Sequence, residues 1–129
     1  MKRKPAVEQC PCGSGRSYAE CCHLLHDGAA ARDAEALMRS RYSAYVLGLG
    51  DYLLASWHST TRPPDLDLKA GPKWLGLSVL RHETTGPDSA SVEFVARYKA
   101  GGRAGRLGEV SRFERVDGRW YYLDGAVSE

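Results

Sequence analysis

A chain of 129 residues, 43% hydrophobic and 26% charged, is long enough for one ordinary domain with a modest core. Its net charge of +2, with both signs interspersed, gives no electrostatic case for nucleic-acid binding, so direct contact with DNA or RNA is not expected. No apolar run approaches the ~20 residues of a membrane helix. No apolar stretch follows the basic start Lys2-Arg3-Lys4 either, so a cytoplasmic protein with no membrane partner is expected.

The first chemical signal is Cys10-Pro-Cys-Gly-Ser-Gly-Arg-Ser-Tyr-Ala-Glu-Cys-Cys22, a C-x-C-x8-C-C spacing that holds all four cysteines of the chain. A disulfide scaffold would spread its cysteines along the chain, and the adjacent pair Cys21-Cys22 bridges poorly. Zinc instead asks for four soft or borderline ligands in a tetrahedron, with Zn–S near 2.3 Å. Gly13 and Gly15 permit a tight turn. Ser17 and Glu20 have capping-box spacing, so a short helix is expected to begin at Tyr18 and carry Cys21 and Cys22 on its first turns. Cys10, Cys12, Cys21 and Cys22 are the expected ligands; His23 and His26 are alternatives to Cys22. Backbone N–H groups around Gly13 to Gly15 are expected to support the thiolates. Four protein ligands leave no open position, so the ion is expected to be structural. Chelation should unfold residues 8–26 and leave the rest folded.

Asp27-Gly28 marks a boundary, giving a knuckle over 1–28 and a second unit over 29–129. Asp33 is placed to cap a helix running to about Leu47, with Ala34, Leu37, Met38, Tyr42 and Tyr45 as its buried stripe. Gly48 and Gly50 end it. Asp51 is placed to cap a second, short helix through about Trp57 that buries Leu53, Leu54 and Trp57. Pro63-Pro64 opposes continuation, and residues 58–73 read as a loop. Strands follow at Trp74 to Leu80, Ala90 to Lys99, Leu107 to Val116 and Arg119 to Asp124, the last two joined by the hairpin dipeptide Asp117-Gly118. Helices first, then an antiparallel meander, predict an α+β fold with a curved sheet around the helices.

The cysteine run resembles the SEC-C zinc motif found at the C-terminus of the SecA translocation ATPase. The likeness continues through Ala36-Leu-Met-Arg-Ser-Arg-Tyr-Ser-Ala-Tyr45, Asp51-Tyr-Leu-Leu-Ala-Ser-Trp-His58, Trp74-Leu-Gly-Leu77, Val92-Glu-Phe-Val-Ala-Arg-Tyr98 and Asp117-Gly-Arg-Trp-Tyr-Tyr122, which resemble the YchJ family of small bacterial proteins. That resemblance implies an N-terminal SEC-C knuckle followed by a cone-shaped domain of the nuclear-transport-factor-two (cystatin-like) type. The SEC-C likeness implies docking to a protein partner or to the ribosome, with Lys2, Arg3, Lys4, Arg16 and Tyr18 as contacts. Cone domains often pair through their sheets, which would permit a homodimer.

The hairpin register carries a second expectation. If Val116 opposes Arg119, then Phe113 opposes Tyr122 and Ser111 opposes Asp124. Glu109, Ser111, Phe113, Trp120, Tyr122 and Asp124 then share the concave face. Arg41 borders the buried stripe of the first long helix and is placed to reach Asp124 or Glu109. The pocket candidates are therefore Arg41, Tyr45, His58, Ser111, Tyr122 and Asp124, either as a structural ion-pair network or as a ligand or catalytic site with Asp124 or His58 as base. No motif specifies a reaction, and an enzyme is the lesser expectation.

Overall fold

The computed structural model describes residues 8–69 and 71–128. Lys2, Arg3 and Lys4, offered above as docking contacts, lie outside the described residues.

The knuckle starts as a miniature hairpin. Gln9 and Ser17 form an antiparallel bridge, Cys10 N–H donates to the Arg16 carbonyl at 2.9 Å, and Tyr18 N–H donates to the Glu8 carbonyl at 2.9 Å. Gly13 and Gly15 take φ of 79° and 85°, the left-handed region that a turn this tight requires. The expected helix at Tyr18 is a single 3-10 turn, Tyr18–Glu20. Ser17 and Glu20 bond each other side chain to side chain at 3.2 Å and do not cap the backbone. Cys21, at φ −127° and ψ −113°, breaks the chain away from that turn, and α1 (Cys22–His26) begins after it.

Helix α2 (Ala34–Leu47) has the predicted limits. Asp33 accepts from Ala36 N–H at 2.8 Å, and Gly48 closes it in the left-handed region. Helix α3 (Gly50–Ala55) differs from expectation. Leu49 takes the N-cap position and Asp51 sits inside the first turn. The helix ends at Ala55 because the next residues bond the sheet: Tyr122 N–H donates to the Ser56 carbonyl at 2.9 Å and His58 N–H to the Tyr122 carbonyl at 2.7 Å.

Four strands form one antiparallel meander in the order β1 (Lys73–Gly86), β2 (Ser89–Ala100), β3 (Arg103–Val116), β4 (Arg119–Ser128). Strand β2 alternates as its sequence demands, burying Ala90, Val92, Phe94 and Ala96. Strand β1 runs past the expected Leu80 because it pairs with β2 along its whole length. Three register shifts in β1, near Leu75, Leu80 and Thr85, bend this edge strand around the helices and blunt it.

Helix α2 is buried on two sides. The four cysteines form one apolar cluster with Ala34, Leu37, Met38 and Tyr42 of α2, which continues into Leu77, Val92, Phe94 and Phe113 of the sheet. No helix of the described residues is long and apolar enough to cross a membrane.

Candidate functional site: a metal centre and a cavity on opposite sides of one helix

The small hairpin brings Cys10 and Cys12 to one side of a shared point, and the break at Cys21 brings Cys21 and Cys22 to the other. All four Sγ atoms lie within 4.8 Å of one another, and all four residues are buried. A tetrahedron with 2.3 Å metal–sulfur bonds has sulfur–sulfur edges of about 3.8 Å. The Cys12–Cys21 separation is 3.7 Å and Cys21–Cys22 is 4.0 Å, so the donor set fits a metal ion. Soft thiolates of this kind suit zinc, copper(I) or iron–sulfur chemistry.

The surroundings stabilise negative sulfur. Ser14 Oγ lies 3.2 Å from Cys21 Sγ, Arg16 donates toward the same sulfur at 3.7 Å, and Ser43 Oγ of α2 lies 3.5 Å from Cys10 Sγ. Arg39 of α2 donates to the Cys12 carbonyl at 2.8 Å while pairing with Glu35 at 2.9 Å. The neighbouring Cys22 thiol and, after it, Ser14 side-chain and backbone groups lower the Cys12 pKa to about 4. The proximity of Cys12, with burial, pushes Cys22 up, and burial pushes Cys10 up. Four thiolates packed this closely need a cation to share their charge.

The histidines stand apart from the cluster. His23 is exposed and lies tilted against Tyr18, with ring centres 5.3 Å apart. His26 Nε2 meets the Ser40 carbonyl at 2.8 Å, and a carbonyl only accepts, so Nε2 carries the proton. Its Nδ1 then accepts from the Tyr18 hydroxyl at 2.7 Å. His26 is thus a strut between knuckle and α2, and burial holds its pKa below the ordinary value.

On the other side of α2 the sheet encloses a cavity of about 240 Å³. Four of the six pocket candidates line it: Arg41, Tyr45, Ser111 and Tyr122. Arg41 is 5% exposed. Its Nη1 donates to the Leu53 carbonyl and to Ser56 Oγ, both at 2.7 Å, and its guanidinium lies 4.9 Å from the Trp57 ring centre and 4.4 Å from that of Tyr122. Burial lowers its pKa, and burial with nearby Glu109 pushes the Tyr122 hydroxyl up to about 12.

The other two candidates lie elsewhere. The hairpin register holds from Val116 opposite Arg119 to Phe113 opposite Tyr122, then shifts by one residue. Leu123 is the extra residue, and Thr61 Oγ1 satisfies its carbonyl at 2.6 Å. Beyond this bulge Asp124 faces Arg112, which grips it with two hydrogen bonds of 2.7 and 2.5 Å in an exposed pair, and Gly125 takes the place opposite Ser111. Asp124 therefore cannot reach Arg41. His58 bonds Thr60 through Nδ1 and approaches Glu114 through Nε2 at 3.2 Å, away from the cavity. Glu109, read from the sequence only as a partner for Arg41, does line the cavity; so do Met38 and Tyr42, which the sequence marks as core, and Trp74 near the start of β1.

The chain matches two family models. Residues 8–24 match the SEC-C motif, and residues 33–125 match "YchJ, middle NTF2-like domain". A UPF0225 protein of Xanthomonas campestris pv. campestris (strain 8004) is 56% identical over 127 residues, covering 96% of this chain and 98% of that one. The solution structure of RPA3114, a SEC-C motif containing protein from Rhodopseudomonas palustris, superposes with TM-score 0.82 at 35% identity, covering 93% of this chain and 98% of that one. A crystal structure of a SEC-C motif containing protein from Psychrobacter arcticus gives TM-score 0.80 at 31% identity, covering 96% and 85%. The chain belongs to the YchJ (UPF0225) family, a SEC-C motif joined to an NTF2-like α+β domain.

Proposed function

We propose that the four thiolates hold one zinc ion that serves structure and not chemistry, and that the outer surface of the knuckle docks onto a protein surface, free or on the ribosome. Four cysteines fill a tetrahedron, so the ion has no position for water or substrate. The observation that carries the docking reading is a groove of about 430 Å³ beside the cysteines. Leu24, 51% exposed, lies on it together with Arg16, Arg32 and Arg39. An exposed leucine on the short helix after the last cysteine, in a groove shared with three arginines, suits a partner that offers an apolar side chain among carboxylates. Glu20 and Glu35 on the same groove restrict the choice of partner by repelling misplaced carboxylates.

The test uses full-length protein and the variants Leu24→Asp and Arg16→Glu, in affinity capture from lysate and in co-sedimentation with ribosomes. Metal content is measured alongside. Loss of the same co-purified protein or of ribosome association in both variants, with metal retained, supports docking. Unchanged recovery in both assays removes it.

A further inference from the structure

The docking surface leaves the cavity on the far side of α2 without a role, and its chemistry is specific. Arg41 cannot shed its proton, and among the described residues no carboxylate oxygen comes within salt-bridge distance of it. A buried cation without a counter-anion is costly. Two neutral acceptors and two ring faces offset only part of that cost, and both acceptors use the same nitrogen, Nη1. Nε and Nη2 have no partner among the described residues. Glu109, on β3, is in the complementary state. Its Oε2 accepts from Ser111 Oγ at 2.7 Å, and its Oε1 has no hydrogen-bond partner among the described residues. Among the described residues the only sealed side-chain polar atom lacking a partner is Trp57 Nε1, so the unused atoms of Arg41 and Glu109 are not sealed, and both residues line the cavity.

Much of the remaining wall is aromatic, with Met38, Ala96 and Leu107 completing it. Trp74 stands edge-on to Tyr42 with ring centres 6.2 Å apart and tilted to Tyr45 at 6.3 Å, while Phe113 stands edge-on to Tyr122 at 5.9 Å. Flat walls favour a planar guest. A volume of about 240 Å³ equals roughly eight waters of liquid, which admits only a small one. One unused donor fork, one unused acceptor and aromatic walls define the ligand.

We propose that this cavity binds a small planar monocarboxylate that also carries a hydroxyl or amino donor, with Arg41 taking the carboxylate and Glu109 the donor. A second negative charge on the guest would be repelled by Glu109, which excludes dicarboxylates and phosphate dianions. A guest with no donor leaves Glu109 facing the carboxylate uncompensated and binds more weakly.

The test is a titration of the metal-loaded full-length protein with 4-hydroxybenzoate, benzoate and phenol, followed by calorimetry and by NMR shifts of Arg41, Tyr45, Ser111 and Tyr122. The expected order of affinity is 4-hydroxybenzoate, then benzoate at least threefold weaker, then phenol at least tenfold weaker. Arg41→Lys keeps the charge, loses the fork and should lose at least tenfold. Leu107→Trp fills the cavity without touching Arg41 and should abolish binding; it decides the matter if Arg41→Lys does not fold. Phenol binding as tightly as 4-hydroxybenzoate overturns the proposal, as does unchanged binding to Leu107→Trp or an absence of shifts at 10 mM probe.

Discussion

Removing the metal should damage more than the knuckle. Helix α1 has five residues, too few to form alone, so residues 8–26 would depend on the proposed ion and on α2 for their shape. Apparent binding energies of structural zinc, about 10–16 kcal/mol, match or exceed the whole stability of a small domain, about 5–15 kcal/mol. Chelation therefore opens the knuckle, which breaks three ties to α2: Ser43 to Cys10, Arg39 to the Cys12 carbonyl, and His26 to the Ser40 carbonyl. At about 0.5–1.5 kcal/mol per hydrogen bond, α2 and the sheet beneath it lose about 1.5–4.5 kcal/mol before any burial is counted. At about 4 °C per kcal/mol, the melting temperature of what remains falls by about 6–18 °C. Hydrogen exchange of the α2 amides Ser40 and Ser43, compared with Val92 in β2, reads the effect residue by residue. Expected are full exposure of residues 8–26, weakened protection across α2, and a smaller loss in β2. If α2 and the melting temperature are unmoved while residues 8–26 open, the packing of knuckle against helix carries no weight and the reasoning fails.

Three further outcomes follow from the same contacts. Gly125→Ala would press a Cβ against the Glu109 carboxylate, the far end of a flexible side chain that can swing aside by giving up its Ser111 bond, so it should cost only about 0.5–1.5 kcal/mol in urea unfolding, relieved by Glu109→Ala in the double variant. Because His26 is held below its ordinary pKa, protonation favours the unfolded chain. Its contribution is complete above about pH 6.5 and is lost as pH falls from there through the folded value, and His26→Gln should flatten that part of the stability profile while lowering stability at neutral pH. Asp124 is held below the usual carboxylate range by its hydrogen bonds from Arg112, so that pair contributes above the unfolded carboxyl value and is lost as pH falls through the depressed one. Being exposed, the pair counts for little: Asp124→Asn should leave the melting temperature nearly unchanged and leave 4-hydroxybenzoate binding intact, where a cavity role for Asp124 would abolish it.

Most of the architecture was legible because its signals are local. The limits of α2 follow from Asp33 and Gly48, the alternation of β2 follows from its side chains, and the last turn follows from Asp117-Gly118, whose φ values of 51° and 81° suit a two-residue hairpin. The four-cysteine cluster, a donor set that could hold a metal ion, was legible because cysteine spacing and ion chemistry constrain each other. The cavity was half legible. Arg41 was found from its place beside the buried stripe. Asp124 was misplaced because the bulge at Leu123 answers to distant residues, Ser56, His58 and Thr61, which bond β4 across more than sixty positions of sequence. No pattern within the hairpin announces it. Helix α3 stops short for the same long-range reason.

Helix α2 occupies a position with little freedom to change. At 3.6 residues per turn, Arg39, Ser40 and Ser43 fall on one side and Met38, Arg41, Tyr42 and Tyr45 on the other, so two unrelated chemistries are written into one stretch of fourteen residues. The first set holds the cysteine loop in place and the second lines the cavity. A mutation that improves one set turns or shifts the backbone that carries the other. Drift along this helix should therefore collect at its open end, Val46 and Leu47, while engineers seeking new cavity specificity would do better to vary β3 and β4 and leave the helix untouched.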